Sequence, residues 1–198
     1  MSVRGRERTG EHMDNAERFA VIDTETNWDN ALMSIGIVIS DSDNMRPLDA
    51  KYFVITPEYE CGGMYENSLF IVESFETIMR YELEAELTAF LKKHSIKKLF
   101  AYNARFDKGL LGELSGFVWH DIMALAAYRQ HNKSIPDCAE CFKTGRLKRG
   151  YGVEPILRLL SGERDYFETH NALIDALDEL TIMRLLDKPL DAYACTIV

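Results

Sequence analysis

The first half of the chain alternates short apolar runs with polar turns, a pattern that is typical of β-strands. Three of these runs predict consecutive strands: Phe19–Asp23, Leu32–Ser40 and Lys51–Thr56. The polar stretch over residues 41–44 (Asp-Ser-Asp-Asn) predicts the turn between the second and third strands, because Asp, Asn and Ser favour turn conformations. We therefore expect a meander of three strands.

Helical and strand patterns alternate in the rest of the chain. Residues 57–70 contain a proline and two adjacent glycines and predict a loop. The other predicted elements are strands at Lys98–Tyr102 and Phe117–Trp119, and helices at Ser74–His94, Asp107–Leu114, Ile122–Arg129, Glu154–Leu160 and Ala172–Leu186. A meander followed by alternating strands and helices predicts an α/β fold, with a mixed five-stranded sheet flanked by helices.

Length and composition indicate one folded unit. With 198 residues, of which 46% are hydrophobic and 28% are charged, the chain suffices for one well-buried domain, which we expect at residues 18–198. Residues 1–17 are polar and predict a disordered arm. No apolar run reaches membrane-spanning length and no apolar signal segment is visible. We therefore expect no membrane contact and a cytoplasmic location, or a nuclear one in a eukaryote.

The charge pattern bears on nucleic-acid binding. A net charge of −9 disfavours a protein that coats nucleic acid over a wide face, but it is compatible with an enzyme that holds a few nucleotides in one cleft. Positive charge is dense in a single segment that contains Lys143, Arg146, Lys148 and Arg149. This segment is either a solvated loop or a clamp for backbone phosphates.

Acidic residues follow or begin predicted elements in three distant segments. Asp23 and Glu25 end the first strand, where alternation places both on one face. Asp107 begins a helix, and His170 precedes a helix that carries Asp175. Each motif alone also suits solvated acids or a helix cap. Taken together, they predict a site for hard divalent cations with a histidine that accepts a proton from water.

The three segments resemble the three motifs of the DEDDh 3′–5′ exonuclease superfamily. The matching residues are Asp23-Thr-Glu25-Thr, Asn103-x-x-Phe-Asp107 and His170-x-Ala-x-x-Asp175-Ala. The superfamily includes the proofreading subunit of bacterial replicative polymerase, ribonuclease T and oligoribonuclease. The resemblance covers roughly residues 19–186 and implies a ribonuclease H-like fold with strand order 3-2-1-4-5.

The resemblance also implies a role for each site residue. Asp23, Glu25 and Asp175 would hold one Mg²⁺ or Mn²⁺ ion, Asp23 and Asp107 would hold a second, and His170 would be the general base. Such cations should raise the melting temperature by relieving repulsion among the carboxylates. The expected substrate contacts are Thr24, Thr26, Trp28, Leu32, Asn103, Phe106, Lys148 and Arg149.

Trp28 and the cysteines leave alternatives open. Trp28 lies in a segment that departs from the Thr-Gly common in the superfamily, and it either stacks on a terminal base or packs in the core. Cys138 and Cys141 have the spacing of two zinc ligands but lack two further ligands at a recognisable spacing. We therefore expect reduced, unpaired cysteines rather than structural zinc.

The sequence thus predicts a metal-dependent 3′–5′ exonuclease. It would release nucleoside 5′-monophosphates from single-stranded or frayed DNA or RNA ends. Two alternatives remain: a proofreading or repair subunit that acts with a polymerase partner, and a catalytically silent nucleic-acid-binding module on the same fold. A homodimer is compatible with each of these.

Overall fold

A mixed sheet of six strands forms the centre of the computed structural model, which describes residues 16–198. The predicted arm lies outside this range except for its last two residues. The strands are β1 (Arg18–Thr26), β2 (Leu32–Asp41), β3 (Asp49–Thr56), β4 (Glu76–Met79), β5 (Lys98–Ala101) and β6 (Val118–Asp121). The helices are α1 (Leu83–Lys93), α2 (Arg105–Leu110), α3 (Met123–Ala126), α4 (Val153–Ser161) and α5 (Ala172–Leu186).

The sheet has the order β4-β3-β2-β1-β5-β6. Strands β1, β2 and β3 form the predicted antiparallel meander, and β5 and β6 continue the sheet in parallel with β1. The predicted mixed α/β fold with five strands in the order 3-2-1-4-5 is therefore confirmed, as β3-β2-β1-β5-β6. Strand β4 is an addition, parallel to β3 at the edge of the sheet.

The helix predicted over Ser74–His94 is wrong in its first half. Glu76–Met79 is a strand that pairs with Phe53–Thr56 of β3, and α1 begins only at Leu83. Edge pairing satisfies the backbone of β4 through a partner that is distant in sequence, which helical periodicity cannot reveal. The predicted helix Ile122–Arg129 is likewise shorter, since α3 ends at Ala126.

Two apolar layers cover the two faces of the sheet. Alternation along β1 sends Phe19 and Val21 into a layer with α3, α4 and α5, and Ala20 and Ile22 into a layer with α1. This two-sided burial holds β1 rigidly at the centre of the sheet. Among residues 16–198, no helix has the length and apolar character required to cross a membrane.

Gly36 lets α5 approach the sheet closely. A Cβ atom at this position of β2 would lie 2.2 Å from the carbonyl oxygen of Ala172 and 2.4 Å from the Cα atom of Leu173, far inside van der Waals contact. The first turn of α5 therefore packs directly on the β2 backbone. Because Gly36 is paired with Asp23 of β1, this contact brings the start of α5 next to the acidic end of β1.

Candidate active site

The end of β1 and the start of α2 supply the first three carboxylates. Asp23 and Glu25 lie near the C-terminal end of β1, and Asp107 lies in the first turn of α2. Because β5 runs parallel to β1 and leads into α2, both carboxyl ends open at the same edge of the sheet. The Thr24 hydroxyl donates a 2.7 Å hydrogen bond to Oδ1 of Asp107 and links the two segments.

Helix α5 supplies the remaining acid and the histidine. The side chain of Asn171 caps the helix by accepting hydrogen bonds from the N–H groups of Leu173 and Ile174. This cap places Asp175 in the first turn and His170 just before the helix. Ligand atoms of Glu25, His170 and Asp175 all lie within 4.8 Å of one another.

Electrostatic effects connect Asp23 to the same cluster. Burial raises the pKa of the Asp23 carboxyl strongly, and the charges of Glu179, Asp107, Asp175 and Glu25 raise it further. All four predicted acids and His170 are therefore brought together, although they come from three segments that are far apart in sequence. The convergence is a property of the fold, since no two of the segments are neighbours along the chain.

The cluster holds more negative charge than its surroundings compensate. Burial and neighbouring carboxylates raise the pKa of Glu25 and of Asp175 to about 8. Burial raises the pKa of Asp107 to about 7, despite the hydrogen bond from Thr24. Oδ2 of Asp23 and Oδ1 of Asp175 are buried without a hydrogen-bond partner among the described residues. Buried, unpartnered oxygen donors with raised pKa values fit hard divalent cations such as Mg²⁺ or Mn²⁺.

His170 is held by the loop between β3 and β4. The backbone of His170 is in the left-handed region, with φ of 54°, and the Ser68 hydroxyl donates to its carbonyl oxygen. The imidazole stacks on the ring of Tyr65, with centroids 3.8 Å apart and planes 14° from parallel. Burial lowers the pKa of His170, so the ring is a neutral proton acceptor at neutral pH.

The side chain of Asn171 ties this loop to α5. Its Nδ2 atom donates to the backbone oxygen of Ser68 at 2.8 Å and to the hydroxyl of Tyr52 at 3.1 Å. The same side chain is the helix cap, so one residue fixes both the start of α5 and the loop that carries Tyr65. The position of His170 therefore depends on long-range contacts as well as on its own helix.

An open pocket of about 330 Å³ lies beside Glu25. Four predicted substrate contacts line it: Thr24, Thr26, Trp28 and Phe106. Met64 and Tyr65 of the β3–β4 loop close its other side. Trp28 is 63% exposed and Phe106 is 48% exposed. The core alternative for Trp28 is therefore wrong, and its ring is free to stack on a ligand.

Other predicted substrate contacts do not line this pocket. Leu32 is only 3% exposed and packs in the apolar layer with Ile22 and Ile35, which leaves little surface for a nucleotide. Asn103 is exposed before α2, and its backbone N–H donates to Asp121. Lys148 and Arg149 are exposed on the loop between α3 and α4. Their contact with a substrate stays a prediction.

The cysteine segment lies on the loop between α3 and α4. Cys138 is exposed and Cys141 is half-buried, and both are free thiols. In the part of the chain that the structure describes, the group of three or more close metal-type ligands is Glu25, His170 and Asp175, without a cysteine. The state of these thiols in the cell stays a prediction.

Two acids at the site were not predicted from the sequence. Glu179 is 1% exposed on α5, one helical turn beyond Asp175, and the half-buried Glu168 raises the pKa of both Glu25 and Asp175. A usable signal existed for Glu179. It is in phase with the small residues Ala172 and Ala176, and all three are buried.

Comparisons with known proteins identify the fold. No family model and no curated protein sequence matches the chain. The nuclease domain of 3′hExo, a DEDDh family member bound to rAMP, matches with a TM-score of 0.61 and 13% identity over 93% of this chain and 98% of that domain. E. coli ExoI in a complex with single-stranded DNA matches with a TM-score of 0.56 and 11% identity over 85% of this chain.

The share of each known protein that this chain covers shows which part of that protein is similar. The chain spans nearly all of the 3′hExo nuclease domain, but 63% of a full-length 3′-exonuclease and 40% of E. coli ExoI. The similarity therefore covers the nuclease fold itself and not the further parts of those proteins. This chain has the ribonuclease H-like fold of the DEDDh 3′-exonucleases.

Proposed function

We propose that the protein is a metal-dependent 3′–5′ exonuclease acting on single-stranded or frayed nucleic-acid ends and releasing nucleoside 5′-monophosphates. The observation that carries this proposal is the convergence of Asp23, Glu25, Asp107, Asp175 and His170 at one edge of the sheet. Unpartnered carboxylate oxygens there are available to coordinate cations, and a histidine with a lowered pKa lies among them. This combination is suited to hydrolysis of a phosphodiester.

The four acids would hold two Mg²⁺ or Mn²⁺ ions. When bound, such ions polarise phosphoryl oxygens and lower the pKa of water. His170 accepts the proton of the attacking water, because its lowered pKa keeps the ring neutral. The stacked ring of Tyr65 restrains the imidazole plane. Thr24 keeps the Asp107 carboxylate oriented toward β1.

The pocket beside Glu25 would receive the terminal nucleotide. Its volume of about 330 Å³ is at the small end for ligand sites, which favours one nucleotide over a continuous duplex. Exposed Trp28 and Phe106 supply flat surfaces for a base. Two of the structures with this fold support the substrate class: E. coli ExoI was determined with single-stranded DNA, and a 3′-exonuclease recognises the 3′ end of a histone mRNA stem-loop.

The substrate class and the general base are tested in one assay. We expect stepwise shortening of end-labelled single-stranded DNA or RNA from the 3′ end in Mn²⁺, abolished by EDTA. His170→Ala should lower the rate by about 10²- to 10⁴-fold, the usual contribution of general base catalysis. His131→Ala, on the loop between α3 and α4, is the control. Equal rates for wild type and His170→Ala would contradict the role of His170 as general base. The polymer that the wild type shortens faster, DNA or RNA, is the preferred substrate.

Stacking on Trp28 gives a second test. Trp28→Ala should raise KM by about 5- to 150-fold, because stacking of a base on an aromatic ring contributes about 1–3 kcal/mol, while kcat changes little. Tyr81→Ala is a matched control, since Tyr81 is 80% exposed and lies beside α1 rather than at the pocket. An unchanged KM in Trp28→Ala would show that the base binds elsewhere.

A further inference from the structure

Glu179 is a buried acid to which the proposed function gives no role. It is one of the buried residues of α5, is 1% exposed, and its Oε2 atom has no hydrogen-bond partner among the described residues. Buried carboxylates are normally paired or hydrogen-bonded, because desolvation of a charge is costly. A side chain of this kind within a packed helix therefore requires an explanation.

Glu179 lies near the acids of the proposed cation site. It lies one turn beyond Asp175 on the same helix, and the two residues share the buried side of α5. Apart from burial, Glu179 is the strongest influence that raises the pKa of Asp23, and Asp107 is the strongest charge acting on Glu179. The charge of Glu179 therefore adds to that of the same cluster of acids.

No basic side chain compensates this charge. None of the ion pairs between residues 16 and 198 involves Glu179, although Lys, Arg and His residues form seven such contacts elsewhere. The backbone N–H of Tyr102 offsets only part of the cost of burial. A divalent cation bound by the neighbouring acids would supply the positive charge that the described side chains around Glu179 do not.

We propose that Glu179 is a fifth carboxylate of the cation site, which strengthens binding of Mg²⁺ or Mn²⁺ from the α5 side. This assignment rests on the proposed function, since it assumes that Asp23, Glu25, Asp107 and Asp175 bind these ions. It extends the acid set beyond the residues on which the family resemblance depends. The competing explanation is a protonated, neutral Glu179 that takes no part in cation binding.

Substitution by glutamine separates these two explanations. Glutamine keeps the shape of a neutral glutamic acid and its capacity to donate a hydrogen bond, but it cannot carry negative charge. In titration calorimetry of the full chain with MnCl₂, Glu179→Gln should raise the dissociation constant by about 10- to 100-fold, as for residues that support metal ligands. Glu84→Gln, an exposed acid on α1, makes the same change in net charge and should leave the constant unchanged.

A second variant tests whether charge itself is responsible. Glu179→Asp retains the carboxylate and should bind Mn²⁺ more tightly than Glu179→Gln does. If Glu179→Gln binds Mn²⁺ as wild type does, or if Glu179→Asp is no better than Glu179→Gln, the proposal is overturned. Asp23→Asn serves as the reference for the site. Loss of binding in Asp23→Asn alone would refute only the role of Glu179, whereas wild-type binding in Asp23→Asn would refute the cation site itself.

Discussion

Replacing Asp23 by asparagine should reduce nucleic-acid hydrolysis by about 10³-fold or more. The substitution removes one charge from the carboxylate at the centre of the cluster, on which four other acids act. Cations at such a site contribute several kcal/mol to the transition state, and each 1.36 kcal/mol corresponds to about a factor of ten in rate. Single-turnover cleavage of end-labelled single-stranded DNA and RNA in Mn²⁺ measures the effect.

The matched control for this experiment is Asp29→Asn. Asp29 is exposed a few residues beyond the end of β1, and its substitution makes the same change in net charge. We expect it to cleave as wild type does. Hydrolysis that survives in Asp23→Asn would contradict the proposed exonuclease. If the wild type also binds nucleic acid without hydrolysing it, the result would instead favour the catalytically silent binding module.

Without divalent cations, the protein should become less stable as the pH rises from about 4 to 8. The pKa values of Glu25 and Asp175 are raised to about 8 and that of Asp107 to about 7. Groups with raised pKa values hold protons more tightly in the folded state than in the unfolded state. The contribution of these groups to stability is fully present at pH values below their pKa in the unfolded state. It is lost as the pH rises through their pKa in the folded state.

The expected size of this effect is measurable by thermal unfolding. One kcal/mol shifts the melting temperature by about 2–4 °C for a chain of this length, so three strongly shifted acids should lower it by more than about 5 °C in EDTA. Mn²⁺ should restore most of the loss at pH 8 and little of it at pH 5. Equal melting temperatures at both pH values, with no response to Mn²⁺, would rule out the cluster as a cation site.

The variant Asp107→Asn and the surface residue Asp49 show how the pH dependence of stability relates to the cluster. Asp107→Asn removes one of the shifted groups and should flatten the pH dependence without cations. Asp49 shows the opposite behaviour: hydrogen bonds from Lys93 and His94 lower its pKa, so its contribution is lost only as the pH falls through that lowered value. Protonation of Asp49 therefore weakens the protein only at acid pH and does not account for a loss of stability between pH 5 and pH 8.

Patterns within single segments were enough to predict the centre of the sheet. Strands β1, β2 and β3 follow apolar, β-branched runs separated by turn residues, and alternation along β1 predicts that Asp23 and Glu25 share a face. Their chemistry was also readable, because carboxylates at strand ends and helix starts suit a cation. These predictions needed only the periodicity of the backbone and the identity of a few side chains.

Contacts between distant segments decided the remaining features. Strand β4 exists because the edge of β3 was free to pair with it. Trp28 is exposed at a pocket whose other walls come from the β3–β4 loop and α2. The first turn of α5 lies next to the acidic end of β1 because Gly36 lets the helix pack directly on β2. The sequence alone determined which residue types suit the chemistry and where single elements form. Only the tertiary structure decided their convergence, since burial and mutual distance depend on packing between elements.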